Sequence, residues 1–244
     1  MYYGITFDKG NGNNNVKNTW SDWYLVPSSR PSVAPPEPKM TIVEIPGSNG
    51  VIDLTESLTG DITYGNRKGS WEFIVMNEKP ILWSNLYSDI LDFLHGQKVK
   101  IFMETELDSV YPSDWYYEGR ISVKAWDTQD NYSVISMDYD LDPFKYERVA
   151  FSRTMTLTSA FNDNWLTNTV VNAHVFRQPV IPKFNVASGS SNVQVWFKGH
   201  AYDLIPGEEQ AVANIIFTQE NSNANEIKLK GSGSVTVTFR GGRL

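Results

Sequence analysis

Tyr117-Glu118-Gly119-Arg120-Ile121-Ser122-Val123-Lys124 and Ile135-Ser136-Met137-Asp138-Tyr139-Asp140-Leu141-Asp142 decide the fold class. In both stretches the odd positions are apolar or small and the even ones polar, the period of two that sends alternate side chains to opposite faces of a strand. Each is a half-buried strand. Working outward, Ser70-Trp71-Glu72-Phe73-Ile74-Val75-Met76 reads as another strand behind the turn-rich Tyr64 to Gly69. Thr41 to Ile45 is a further strand, and Ile45-Pro46-Gly47-Ser48-Asn49-Gly50-Val51-Ile52-Asp53-Leu54 a strand, tight turn and strand, with Gly47 and Gly50 available for positive φ. One helix interrupts this pattern. Leu82, Leu86, Ile90 and Leu94 recur every four residues, Trp83, Tyr87 and Leu91 widen the stripe, Pro80 suits the first turn and Gly96 the left-handed stop.

The chain has 244 residues, enough for one large all-β domain or two ordinary ones, and enough to bury a core without a metal or disulfide. It has no cysteine, which excludes thiol catalysis, Cys-based zinc sites and redox switching. From Pro143 to about Gln178 the pattern blurs, and beyond it short strands are expected around Val180 to Val186, Val193 to Lys198, Ala211 to Thr218, Glu226 to Lys230 and Ser234 to Phe239. The turn signals between them include Ser188-Gly189-Ser190, Pro206-Gly207 and Gly231-Ser232-Gly233. The expected organisation is a mainly β protein: an N-terminal β-sandwich with one α-helix over residues 1–147, a connector over 148–178 and a smaller β-sandwich over 179–244.

Net charge is −7 and unevenly spread: residues 1–164 hold 14 Lys+Arg against 23 Asp+Glu, the remainder 7 against 5. An acidic body repels a polyanion, so specific nucleic-acid binding is disfavoured. No apolar stretch approaches the ~20 residues of a membrane helix, and Met1 to Lys9 lacks the basic and apolar regions of a secretory signal.

No catalytic constellation is legible. His95, His174 and His200 are far apart and outside any metal-binding spacing; no serine sits in a G-x-S-x-G elbow, and no glycine-rich phosphate cradle opens a helix. Neither an enzyme nor a cofactor is expected. Three features remain. Five prolines between Pro27 and Pro38 forbid helix and central strand, so Pro27, Arg30, Pro31, Pro35 and Pro36 form an extended arm, either a free linker or a chain lying across a neighbouring subunit. The segment between Met103 and Tyr116, with Glu104, Glu106, Asp108 and Asp114, is a long acidic hairpin tip, either channel-facing or a solvated outer loop. The aromatics of Trp20-Ser21-Asp22-Trp23-Tyr24 and Trp115-Tyr116-Tyr117 belong to core or interface, or else to a sugar-stacking platform.

The run Asn18 to Pro31, then Pro35-Pro36-Glu37, Ile45 to Gly50, Asp53 to Gly60 and Arg67-Lys68-Gly69-Ser70-Trp71-Glu72-Phe73, resembles the distal tail proteins of phages with long flexible tails. Leu94-His95-Gly96, Tyr116 to Arg120 and Asp138 to Tyr146 continue the likeness through residue 147, and Val235 to Leu244 is similar to the family's last strand. The resemblance implies a structural hub at the virion tail tip, assembled in the host cytoplasm: a homo-hexameric ring of N-terminal domains joining the tail tube protein to the tip or receptor-binding proteins, with a channel for DNA and a galectin-like C-terminal domain. The galectin signature itself is not reproduced, since His174-Val175-Phe176-Arg177 lacks its asparagine and proline and Trp196-Phe197-Lys198-Gly199 its acid. A carbohydrate-binding adhesin is the alternative that the aromatics allow.

Overall fold

The computed structural model describes residues 4–10, 15–47, 49–57, 60–76, 83–103, 114–128, 132–158, 177–218 and 225–244. The chain divides into two compact units, one of residues 1–145 with Leu244 and one of residues 146–243.

The first unit is built on antiparallel strands β1 (Ile5–Asp8), β2 (Val16–Asn18), β3 (Leu25–Pro27), β6 (Arg67–Val75), β7 (Lys98–Met103), β8 (Trp115–Thr128) and β9 (Ser133–Leu141). They lie in the order β2-β1-β7-β8-β9-β6-β3. The alternation seen in the sequence is borne out: Ile121, Ile135, Met137 and Leu141 are fully buried, and Arg120, Ser122 and Lys124 are exposed. Thr19, itself buried, brings the two ends of this order together. Its Oγ1 accepts from the Ile5 amide at 3.0 Å, and its carbonyl accepts from the Leu25 amide at 2.8 Å. The sheet therefore folds over a single core, in which Ile5, Phe7, Phe73, Ile101 and Ile135 have no exposed surface.

Helix α1 (Trp83–Leu94) sends Leu86, Ile90 and Leu94 into that core, as its four-residue spacing requires. Gly96 stops it at φ +72°, and the Gly96 amide is satisfied by the Ile121 carbonyl of β8 at 2.7 Å. Pro80 and Leu82, read as part of the helix, lie outside the described residues. A bulge in β8 between Val123 and Trp126 brings the Trp126 ring to 5.6 Å from Trp83 and 5.9 Å from Tyr87 of α1.

Between β3 and β6 a separate two-stranded sheet forms from β4 (Ile42–Glu44) and β5 (Val51–Asp53), the strand-turn-strand read from the sequence, with Gly47 and Gly50 at φ +80° and +95°. Strand β10 (Lys145–Glu147) runs across the division between the units.

The second unit contains β11 (Phe151–Leu157), β12 (Lys183–Val186), β13 (Ser191–Phe197), β14 (His200–Asp203), β15 (Glu209–Ala211), β16 (Ile227–Phe239) and β17 (Gly242–Arg243). Three readings need correction. The segment 148–178, expected to be a connector, supplies β11, which pairs with β16 from Phe151↔Phe239 to Leu157↔Gly233. The strand expected over Ala211 to Thr218 is short and ends at Ala211; Ile215 and Phe217 are buried from irregular backbone, held by a bridge from Phe217 to Val180. The two strands expected around Gly231-Ser232-Gly233 are one 13-residue strand, β16. Its first half pairs with β13 and its second with β11 and β12, and Gly231 and Gly233, at φ +130° and +120°, bend it from one layer to the other. Val195, Leu229, Val235 and Val237 are fully buried between the layers.

Candidate assembly surface

The β4–β5 hairpin is the most exposed apolar feature among the described residues. Met40, Ile42, Val43, Val51, Ile52 and Leu54 are all exposed, Met40 by 65% and Val51 by 55%. The register Ile42↔Asp53, Val43↔Ile52, Glu44↔Val51 pairs the two strands with each other, and neither pairs with another strand among the described residues. Two short strands with apolar side chains in water are marginal at best on their own. The hairpin stands on a short stalk: the Lys39 amide donates to the Thr63 carbonyl and Gly65 to Glu37, both at 2.8 Å, and Tyr64 sets its ring edge-on to Phe144.

The proline arm leads into this stalk. Pro27 closes β3 opposite Phe73, and the Ser28 amide donates to the Glu72 carbonyl at 2.9 Å. Beyond it, side chains of the same unit hold the arm's backbone: Trp71 Nε1 donates to the Ser32 carbonyl at 2.8 Å, Arg67 Nη1 to the Ala34 carbonyl at 2.9 Å, and the Ala34 amide to Tyr139 Oη at 3.0 Å. Val33 packs against the core. The arm is therefore not a free linker. Its backbone lacks donors at each proline, so it recruits side chains where a strand would use a ladder. Arg30 and Pro35 are exposed, whereas Pro27, Pro31 and Pro36 are half-buried.

Of the acidic tip, Glu104, Glu106 and Asp108 lie outside the described residues, and Asp114 is exposed just before β8. The sequence reading missed a second charged surface, the polar face of the sheet. There Lys124 meets Asp138 at 2.9 Å, Lys98 meets Glu118 at 3.1 Å and Asp142 at 3.8 Å, and Lys68 meets Asp140 at 3.6 Å. The bond to Glu118 raises the Lys98 pKa against the opposing effect of burial. These exposed pairs add little stability each but cover the face with mixed charge. Alternation alone placed Lys124 and Asp138 on one face; only strand order made them neighbours.

The aromatics divide between buried and exposed positions. Trp23 and Tyr116 are buried, Trp23 edge-on to Phe93 at 5.6 Å, while Trp20 and Tyr24 are exposed and edge-to-face at 6.3 Å. In the second unit the Lys228 ammonium lies 4.5 Å from the Trp196 ring centroid. His95 and His200 are exposed, and His174 lies outside the described residues. No group of His, Asp or Glu arranged to hold a metal occurs among the described residues, and no described helix is long and apolar enough to cross a membrane.

The chain shares its fold with a solved structure. SPP1 Dit (gp 19.1), described as a paradigm of the hub adsorption apparatus in phages infecting Gram-positive bacteria, is similar to this chain over 100% of both chains, with a TM-score of 0.61 and 14% identity. No protein-family model matches the chain, and no curated protein does.

Proposed function

We propose that this chain is a structural hub of a phage tail tip. Its N-terminal unit assembles into a homo-hexameric ring that joins the tail tube protein to the tip or receptor-binding proteins, leaves a channel for DNA, and carries a galectin-like C-terminal unit; it performs no catalysis. The observation that carries this reading is the β4–β5 hairpin, whose apolar side chains stay exposed. Covering them with a second copy removes that surface from water and completes a hairpin that is marginal alone. The fold shared with SPP1 Dit, itself described as part of a hub, supports the same assignment. Arg30 and Pro35 on the open side of the arm are accessible to the neighbouring copy. In the ring, the acidic excess of residues 1–164 lines the channel, with Glu104, Glu106, Asp108 and Asp114 as channel-facing residues, since carboxylates keep a passing polyanion hydrated and unbound.

Light scattering and native mass measurement at micromolar and higher concentration test the ring. Six subunits are expected for the natural chain and monomers for Ile52→Lys, with the same Tm as the natural chain only at a concentration too low for assembly, because Ile52 is exposed in the monomer. A protein that stays monomeric at every concentration and with tail partners present overturns the reading.

The adhesin reading draws on the exposed Trp20–Tyr24 pair and on Trp196. Against it, the Lys228 ammonium already lies over the Trp196 ring, where a sugar face would have to stack. A glycan array followed by calorimetry should give weak binding at most. Specific micromolar binding abolished by Trp196→Ala would favour the adhesin.

A further inference from the structure

Arg67 is the least expected residue in the first unit's interior. It is 4% exposed, and its guanidinium donates to carbonyls: Nε to that of Pro143 at 2.8 Å and Nη1 to that of Ala34 at 2.9 Å, while Nη2 is buried without a hydrogen-bond partner. Taking a cation out of water is expensive, and an apolar residue of similar volume would fill the space at lower cost. What the cation supplies is a grip on backbone carbonyls, one in the arm and one at the end of the first unit. Trp71 and Tyr139 lie beside it, each 5% exposed, with ring centroids 4.5 Å apart, and they take the neighbouring groups of the arm, the Ser32 carbonyl and the Ala34 amide. Gly69 makes room, because a Cβ there would overlap the Tyr139 phenol. Three consecutive arm residues are thus held from one side: Ser32 and Ala34 by hydrogen bonds, and Val33 between them by packing against the core.

We infer that Arg67, Trp71 and Tyr139 form a clasp on the arm whose purpose is to fix the base from which the β4–β5 hairpin leaves the domain, making them positioning residues for docking of that hairpin on a second copy. The inference rests on the ring reading above. The clasp grips the arm at Ala34, just before the stalk begins at Glu37, and the stalk's return limb carries Tyr64, Gly65 and then Arg67 itself. Arm and return limb are therefore tied at one point, and an exposed hairpin on a tied base meets its partner without first paying the entropy of ordering that base.

Hydrogen exchange on the natural chain, on Tyr139→Phe and on Ile52→Lys, each followed by native mass measurement, tests the clasp. Tyr139→Phe keeps the ring against Trp71 and removes only the acceptor of the Ala34 amide. Exchange at Ala34 and at the stalk amides Lys39 and Gly65 should then rise about five- to tenfold, the factor that one hydrogen bond supplies. The β8–β9 ladder should stay protected and ring formation should weaken. Ile52→Lys should abolish the ring, with arm exchange equal to that of the natural chain measured at a concentration too low for assembly. Arg67→Lys, which keeps the charge and loses the fork, should behave as Tyr139→Phe does. Arm exchange in the natural chain as fast as in open loops, or unchanged in Tyr139→Phe, overturns the clasp. A loosened arm with undiminished ring formation overturns its positioning role. A natural chain that never assembles sinks the ring reading and with it the positioning role, while the exchange data still decide whether the clasp itself exists.

Discussion

At the scale of single residues, close approach governs this molecule as much as burial does. Gly119 faces β9 where an added Cβ would meet the backbone of Asp140 and Leu141, which cannot move without breaking the ladder. At Gly69 the obstacle is the Tyr139 side chain, which can rotate at the loss of its bond to Ala34. Both Gly→Ala changes should destabilise, Gly69→Ala by about 1–3 kcal/mol, as overpacking does, and Gly119→Ala by more; denaturant melts of the two variants check the order. Tyr117 gives a pH dependence. Burial raises its phenol pKa, with nearby Arg67 opposing and Tyr139 adding to the rise. The unfolded chain releases this proton near pH 10 and the folded chain later, so its contribution is fully present below that pH and is lost as pH rises through the folded value. Urea melts from pH 8 to pH 11 should show stability level at first and falling above about pH 10, with the fall reduced in Tyr117→Phe.

Among the elements, the contrast between helix and hairpin shows what burial does. Ile90 of α1 has no exposed surface and lies on the stripe that the four-residue spacing defines, so Ile90→Ala should cost about 2–5 kcal/mol through lost transfer energy and the cavity left behind. Ile52 is 44% exposed, and its removal should leave the monomer's Tm unchanged within error. Thermal melts of the two variants at a concentration too low for assembly separate the roles. Strand β16 makes a different point. Gly-Ser-Gly is a turn signal by propensity, but a Cβ at Gly231 would meet the backbone of Asn192 and Val193, and one at Gly233 would overlap Ser190. The two glycines permit a bend and a close crossing within one continuous strand, because neighbours on both sides complete the ladder that an isolated segment would abandon.

On the scale of the whole molecule, two separate hydrophobic cores imply two cooperative units. Calorimetry should resolve two transitions. Ile135→Ala should lower one and Phe217→Ala the other, each residue being fully buried in its own core. A single transition shifted equally by both substitutions would show that the units unfold together.

Local periodicity determined the strands β8 and β9, helix α1 and the β4–β5 hairpin, because side-chain alternation, the four-residue stripe and positive-φ glycines depend only on near neighbours. The motif series from Asn18 to Tyr146 likewise pointed to the fold later found to be shared with SPP1 Dit. What depends on distant residues was decided only in three dimensions. The grip of Arg67, Trp71 and Tyr139 on an arm 33 to 105 positions away, the recruitment of residues 151–157 into the second sandwich, and the exposure of an apolar hairpin that looks like any core strand in sequence all follow from strand order. A period of two states that a residue alternates between faces. Which face is covered, and by what, is set by packing between segments far apart in the chain.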